Sequence, residues 1–152
     1  AADEALLLAF RALLLKYPKA GQNVRLALEA PEASQFLVRC DPHILQTAFF
    51  NLLDNAVKYG NEQTILVRLF PLCQSVCLEV VDHGMGIDSI ELKHLFEPFY
   101  RSKHMKHLPG IGIGLSLVKS IAEKYGGSIS LKSEPGKGTS ACFTLPGMEL
   151  AS

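Results

Sequence analysis

The chain has 152 residues, of which 48% are hydrophobic and 20% charged, and its 15 Lys and Arg balance its 15 Asp and Glu. This length and composition are typical of one globular domain with its own hydrophobic core, and they exclude a disordered chain. Zero net charge argues against broad neutralisation of a phosphate backbone, so we expect no nucleic acid among the partners. The four cysteines show neither a CxxC pair nor zinc-ligand spacing with histidine, which favours reduced cysteines in a cytoplasmic protein.

Hydrophobic periodicity and turn residues divide the chain into helices and strand pairs. Asp3 is a plausible N-cap of the first helix, and Pro18, Gly60 and Gly126-Gly127 are stop signals. Strands that come in pairs between helices indicate an α+β fold, with a mostly antiparallel sheet covered by helices on one face. The predicted elements are helices at 3–17, 42–59, 90–96 and 112–125, and strands at 24–30, 36–40, 65–70, 76–81, 128–132 and 139–145, with a hairpin loop at 71–75.

The apolar stretches of the chain are all short. The longest, at residues 5–10 and 12–15, are separated by Arg11, and neither approaches the roughly 20 residues that a membrane span requires. No basic segment followed by a cleavage site marks a signal peptide. We therefore expect this piece of the protein to make no direct membrane contact.

A polar stripe runs along the long predicted helix. Asn51, Asn55, Lys58 and Tyr59 follow one another at helical spacing and share one face. Amide oxygens can coordinate a hard cation, and a lysine ammonium can bind phosphate. An ordinary solvated helix face is the alternative for this motif on its own.

A second motif, D-H-G-M-G-I, directly follows an apolar strand. Asp82 at the strand end could accept a hydrogen bond from an exocyclic amine, and Gly84 and Gly86 would let the backbone approach a flat ligand. Ile87 completes the motif. A simple glycine turn after a strand is the alternative.

The third motif places three glycines at the start of a helix. Gly110, Gly112 and Gly114, followed by Leu115, would expose backbone N–H groups to an anion at the positive end of the helix dipole. The segment follows a loop and not a strand, so it fails the dinucleotide-binding fingerprint. G-K-G-T at 136–139 likewise lacks the spacing of a P-loop.

Taken in order, these segments resemble the conserved boxes of sensor histidine kinases. The match runs from about Asp41 to Pro146 and keeps the order and rough spacing of the family. The matching segments are N-L-L-D-N-A-V-K-Y (51–59, N box), D-H-G-M-G-I (82–87, first glycine box), L-F-E-P-F-Y-R (95–101, F box), G-I-G-I-G-L-S-L-V (110–118, second glycine box) and G-K-G-T (136–139, terminal glycine turn).

The resemblance implies a Bergerat ATP-binding fold, a two-layer α/β sandwich, with ATP and Mg²⁺ as cofactors. It implies one catalytic domain over residues 1–152, with an N-terminal helix at 1–20 and the F box and ATP lid at 97–110. The implied partners are the protein's own dimerisation domain with the phosphoacceptor histidine, and a response regulator receiver domain. We expect the acceptor domain to be absent here, because none of the five histidines sits on a long helix with a following acid. The domain would be cytoplasmic, in a family that is often membrane-anchored.

The resemblance also assigns roles to residues. Asp82 would bind the adenine amine, and Thr139 would join that hydrogen-bond network. The implied catalytic residues are Asn51, Lys58, Arg101 and Lys103, and the implied metal ligands are Asn55 and Asn51. The implied nucleotide-binding residues are Asn55, Tyr59, Asp82, Gly84, Gly86, Ile87, Gly110, Gly112, Gly114, Leu115 and Thr139.

Three alternatives stay open beside the kinase. ATPases of the gyrase, heat-shock chaperone and mismatch-repair kind share the implied fold, but they carry a general-base Glu four residues before the metal-binding Asn. Here that position is Asn51, which cannot take a proton at neutral pH. A serine kinase of the anti-sigma type and a degenerate domain that only docks partners are the other two.

Overall fold

Four helices and five strands make up the part of the chain that the computed structural model describes, residues 1–29, 36–59, 63–97 and 114–147. A short 3₁₀ turn at Ala20–Gln22 follows the first helix. The elements are α1 (Ala2–Lys16), β1 (Val24–Leu28), α2 (Pro42–Tyr59), β2 (Ile65–Leu72), β3 (Ser75–Asp82), α3 (Ser89–Leu92), α4 (Gly114–Lys124), β4 (Ser128–Glu134) and β5 (Gly138–Pro146).

The strands form one mixed sheet in the order β1-β2-β3-β5-β4. β1 pairs with β2 in parallel, and α2 lies between them in the chain, as a parallel pair requires a crossover. The other three pairs are antiparallel. The predicted α+β class, with a mostly antiparallel sheet, is confirmed. In this register Thr139 of β5 lies opposite Asp82 on one side and Ser133 on the other.

The hydrophobic core lies between the sheet and helices α1, α2 and α4. Helix α2 contacts α1, α4 and the central strands β3 and β5, so it is the central helix of the helical layer. The ring of Phe49 on α2 packs edge-on against Phe143 of β5, with centroids 5.8 Å apart. The buried apolar residues of α2 recur at the three- and four-residue spacing of an amphipathic helix: Leu45, Ala48, Phe49, Leu52, Leu53 and Ala56.

Two predictions about the first half of the chain are wrong. Asp3 does not cap α1, because the helix already begins at Ala2 and Asp3 lies in its first turn. Residues 36–40 form no strand among the described residues, and only Val38 makes an isolated bridge, to Gly147. The segment has the alternation of a strand, but it leads directly into α2, where the Asp41 carboxylate accepts hydrogen bonds from the backbone N–H groups of His43 and Ile44.

The turn of the β2–β3 hairpin and the third helix are both shorter than predicted. Strand β2 continues through Pro71, so the turn consists of Cys73 and Gln74 alone. Proline is tolerated there because the neighbouring strand β1 pairs only as far as Leu69, leaving no partner for the missing N–H. Helix α3 is a single turn capped by Asp88. No helix within the described ranges is both long and apolar enough to span a bilayer.

Candidate functional site

A pocket opens between α2 and the sheet at the end where β3 finishes. Helix α2, strands β3, β4 and β5, the loop after β3 and the first turn of α4 all contribute walls. The lining is mostly aliphatic, with three polar side chains. The lining residues are Leu52, Asn55, Ala56, Val80, Asp82, Ile87, Leu115, Leu131, Thr139 and Ala141. Five of these, Asn55, Asp82, Ile87, Leu115 and Thr139, are residues that the sequence predicts for a nucleotide site.

Asp82 is a carboxylate buried in the wall of this pocket, with 4% of its surface exposed. The backbone N–H of Gly84 donates to Oδ1 of Asp82 at 3.0 Å. Burial raises the pKa of Asp82, and the backbone hydrogen bonds of Gly84 and Thr139 oppose that shift only in part. No lysine or arginine of the described ranges forms an ion pair with it. A buried acceptor of this kind, without a cation, is typical of a ligand site.

The glycines of this region allow two backbone segments to touch. Gly86 has φ +71°, and a Cβ there would lie 1.9 Å from the carbonyl oxygen of Glu134. Gly138 has φ +101°, and a Cβ there would lie 2.1 Å from the carbonyl oxygen of Asp82. The N–H of Gly136 donates to the carbonyl of Met85 at 2.7 Å. The β4–β5 turn is therefore packed directly on the loop that follows Asp82, so the first glycine box and the terminal glycine turn form one unit.

Ser133 is a site residue that the sequence reasoning missed. Its Oγ accepts a hydrogen bond from the backbone N–H of Ile87 at 2.8 Å and lies 2.8 Å from Oγ1 of Thr139. It also donates to the carbonyl of Gly138 at 2.9 Å. The hairpin prediction contained the signal, because pairing the strands across residues 134–138 places Ser133 opposite Thr139. Ser133 thus joins the pocket loop to the terminal hairpin.

We expect Ser133→Ala to lower the free energy of unfolding by about 1–2 kcal/mol, because the N–H of Ile87 loses its partner. Urea denaturation measures this. Ser130→Ala is the control, since Ser130 lies on the same strand and is exposed. Equal stability of the two variants would contradict a bracing role for Ser133.

The two asparagines of α2 differ in their surroundings. Nδ2 of Asn55 is buried, and no described residue accepts a hydrogen bond from it. A buried NH₂ donor without a partner in a pocket wall fits a ligand that offers an acceptor oxygen, and the Oδ1 of the same amide is the atom that could coordinate a hard cation. Nδ2 of Asn51 donates to the carbonyl of Thr47 at 2.8 Å, while its Oδ1 lies toward the start of α4, 2.9 Å from where a Cβ on Gly114 would be. Gly114 therefore lets α4 approach the polar stripe of α2.

Lys58 lies on the same stripe, but its ammonium is paired inside the domain. Nζ of Lys58 is 3.0 Å from Oδ2 of Asp54. Lys58 is not among the residues that line the pocket. Its role toward phosphate stays a prediction, and the partner that holds it, Asp54, is a second residue that the sequence reasoning did not single out.

Several predicted site residues lie outside the described part of the chain. They are Arg101, Lys103, Gly110 and Gly112, with most of the predicted lid, and for Tyr59 the side chain. Gly114 and Leu115 lie in the first turn of α4, and residues 112 and 113, where the predicted helix starts, lie outside the described residues. The roles of all these residues toward a nucleotide stay predictions.

Residues 40–149 match the family described as histidine kinase-, DNA gyrase B- and HSP90-like ATPases. The chain belongs to this family. The match covers both glycine boxes, the polar stripe of α2 and the terminal hairpin, and Asn55, Asp82, Ile87, Leu115 and Thr139 from these segments line the pocket. ATP is the nucleotide that domains of this family bind.

Curated proteins similar to this chain include sensor kinases. The phosphate regulon sensor protein PhoR of Pseudomonas aeruginosa is 37% identical over 131 residues, which cover 84% of this chain and 29% of PhoR. Sensor histidine kinase YkoH of Bacillus subtilis is 37% identical over 110 residues, which cover 71% of this chain and 24% of YkoH. The chain thus spans less than a third of the length of these relatives.

Solved structures of histidine kinases share the fold. The mycobacterial sensor histidine kinase MprB superposes with a TM-score of 0.76 at 25% identity, covering 97% of this chain and 95% of that one. A nucleotide-free catalytic domain of histidine kinase ThkA superposes with a TM-score of 0.74 at 22% identity, covering 95% and 93%. The fold expected from the resemblance is confirmed.

Proposed function

We propose that this domain transfers the γ-phosphoryl group of Mg-ATP to a histidine on a separate dimerisation domain, as the catalytic part of a sensor histidine kinase. The observation that carries the proposal is Asn51, one helical turn before Asn55 on α2. Water-activating ATPases of this fold need a carboxylate there. An amide whose nitrogen is committed to the Thr47 carbonyl cannot take a proton from water.

In this proposal the pocket binds the adenine base. Asp82 accepts the hydrogen bond of the exocyclic amine, and the Thr139 hydroxyl, held by Ser133, orients a second contact. The aliphatic walls of α2 and the sheet exclude water from the two faces of the base. Selection of adenine therefore depends on one buried carboxylate.

The phosphates would extend from the pocket toward the start of α4. Asn55 and Asn51 would hold Mg²⁺, which neutralises phosphate charge during transfer. The first turn of α4 offers backbone N–H groups to the phosphates, and Lys58 and the lid residues Arg101 and Lys103 add positive charge. None of these groups forms a bond to phosphorus, so their work is positioning and charge stabilisation.

The proposed partners follow from this chemistry. A domain that binds ATP, but in whose sequence no histidine on a long helix is followed by an acid, needs the dimerisation domain to bring its histidine to the γ-phosphate. A response regulator receiver domain would then take the phosphoryl group. The phosphoryl group of both transfers originates from cytoplasmic ATP, so we place the domain on the cytoplasmic side, in a protein that is membrane-anchored in many members of the family.

The test is transfer of label from [γ-³²P]ATP to the added dimerisation domain of the same protein. We expect label that is stable in alkali and lost in acid, as for phosphohistidine, and that requires Mg²⁺. Asn55→Ala should reduce the rate at least about 100-fold, since a positioned electrostatic group of this kind is worth that much. Gln46→Ala, a polar change on the half-buried side of α2 two turns earlier, is the control.

The rival functions give different results in the same experiment. Acid-stable label would indicate a serine kinase. Steady release of inorganic phosphate without an acceptor would indicate a hydrolase. An absence of nucleotide heat in calorimetry with the intact chain would leave only a docking domain.

A further inference from the structure

Asp54 is a buried carboxylate at the junction of α1 and α2, with 7% of its surface exposed. Three groups approach it. Lys16 and Tyr17, from the end of α1, reach Oδ1 at 3.0 and 2.9 Å. Lys58 of α2 reaches Oδ2 at 3.0 Å. Each carboxylate oxygen is thus held by a different helix.

These contacts keep the carboxylate charged. Two ammonium groups and a phenolic hydroxyl lie within 3.0 Å of its oxygens, and opposite charges at this distance favour the ionised form. Each further donor to an ionised carboxylate partly neutralises its charge and so weakens its attraction for a given ammonium. The strength of the Lys58 contact therefore depends on Lys16 and Tyr17.

The position of Lys58 on α2 is intermediate between two acceptors. At about 100° per residue, its side chain leaves the helix about 40° from that of Asp54 and about 60° from that of Asn55, on the other side. Asn55 lines the pocket, and Asp54 faces α1. The flexible stem of lysine can reach either side. In this structure the ammonium lies on the Asp54 side.

We propose that Asp54 competes with the nucleotide phosphates for the Lys58 ammonium, and that Lys16 and Tyr17 keep Asp54 satisfied when Lys58 leaves it. This proposal rests on the proposed function, since it assigns Lys58 to phosphate. Asp54 is then a positioning residue that sets how readily Lys58 is released. Helix α1, through its last turn, adjusts the affinity for phosphate without touching the nucleotide.

The competition predicts that removing the charge of Asp54 and removing a donor to Asp54 change the affinity for ATP in opposite directions. Asp54→Asn frees Lys58 and should tighten ATP binding about fivefold. Tyr17→Phe removes a donor from Asp54, strengthens its hold on Lys58 and should weaken ATP binding about threefold, although no charge changes. Adenosine, which has no phosphates, should bind all variants equally. Titration calorimetry with ATP and with adenosine measures each affinity.

A double variant separates this mechanism from general electrostatics. If Tyr17 acts through Asp54, Tyr17→Phe should have no effect in the Asp54→Asn background. Lys16→Met should weaken ATP binding in the wild type and likewise lose its effect beside Asp54→Asn. Lys19→Met removes the same charge from an exposed position three residues later and should change little. Equal effects of Lys16→Met and Lys19→Met would overturn the proposal.

Other outcomes identify which idea fails. If the wild-type chain binds ATP and Lys58→Met weakens it, but Asp54→Asn also weakens it, the competition is wrong while the proposed function stands. If Asp54→Asn and Tyr17→Phe change adenosine binding as much as ATP binding, Asp54 is only structural. If the wild-type chain binds no ATP, the proposed function fails first and this proposal with it.

Discussion

Asp82→Asn is expected to weaken ATP binding roughly 30- to 150-fold, corresponding to about 2–3 kcal/mol for a buried hydrogen bond to a charged acceptor. Oδ1 of Asp82 already accepts the N–H of Gly84, and the backbone of Thr139 also hydrogen-bonds the carboxylate. A carboxylate has acceptor capacity left for the adenine amine. Asparagine has one carbonyl oxygen, which would have to accept hydrogen bonds from both the backbone and the ligand. Its NH₂ group is a donor and repels the amine.

The same substitution should leave the folded state as stable as before, or more so. Burial raises the pKa of Asp82 above its unfolded value, so the ionised form destabilises the folded state at neutral pH. This penalty disappears as the pH falls below the unfolded pKa. Asparagine removes the charge at every pH. We therefore expect an unchanged or higher melting temperature at pH 7 together with the lost affinity.

Glu79→Gln is the control for this prediction. Glu79 is an acid of the same strand, but it lies on the other face of the sheet and pairs with Arg68 at 3.1 Å. Calorimetry should give it wild-type affinity for ATP. Wild-type affinity in Asp82→Asn, or a lowered melting temperature with proportional loss of affinity in both variants, would remove Asp82 from the base site.

The local motifs of the sequence were enough to predict the fold class and half of the pocket. Helix α2 was predictable because its apolar spacing and the stop signal at Gly60 agree. The pocket residues Asp82 and Thr139 were predictable because each belongs to a short glycine-rich motif with a known structural context.

The contacts between motifs were not predictable in the same way. Nothing within D-H-G-M-G-I indicates that Gly86 meets the carbonyl of Glu134, because that contact depends on the twist and register of three strands. The pairing of Asp54 with Lys16 depends on how α1 crosses α2. The failed strand at 36–40 also depends on pairing, since within the described residues only Val38 has a partner, Gly147, in an isolated bridge.

Gly86→Ala is expected to lower the free energy of unfolding by about 3 kcal/mol or more. Two effects add at this position. The backbone has φ +71°, which disfavours any residue with a Cβ, and the new Cβ would lie 1.9 Å from the carbonyl oxygen of Glu134. Backbone on both sides of the contact leaves no flexible side chain to move away. The β4–β5 turn must shift as a whole.

Gly136→Ala separates the two effects. Gly136 has φ +79°, close to that of Gly86, but a Cβ there would have no atom within 4 Å. For Gly136→Ala we expect the free energy of unfolding to fall only by the conformational part, about 1 kcal/mol. Urea denaturation of both variants therefore yields the steric part by difference, about 2 kcal/mol or more. Equal losses would show that the contact of the turn with the pocket loop is loose.

The displaced turn should also affect the pocket, because the contacts of Ser133 and Thr139 depend on it. At a temperature where Gly86→Ala is still folded, we expect weaker binding of adenosine and of ATP by the same factor, since the damage lies at the base and not at the phosphates. Gly136→Ala should bind both normally. A selective loss of ATP binding in Gly86→Ala would place the turn beside the phosphates and contradict this orientation of the nucleotide.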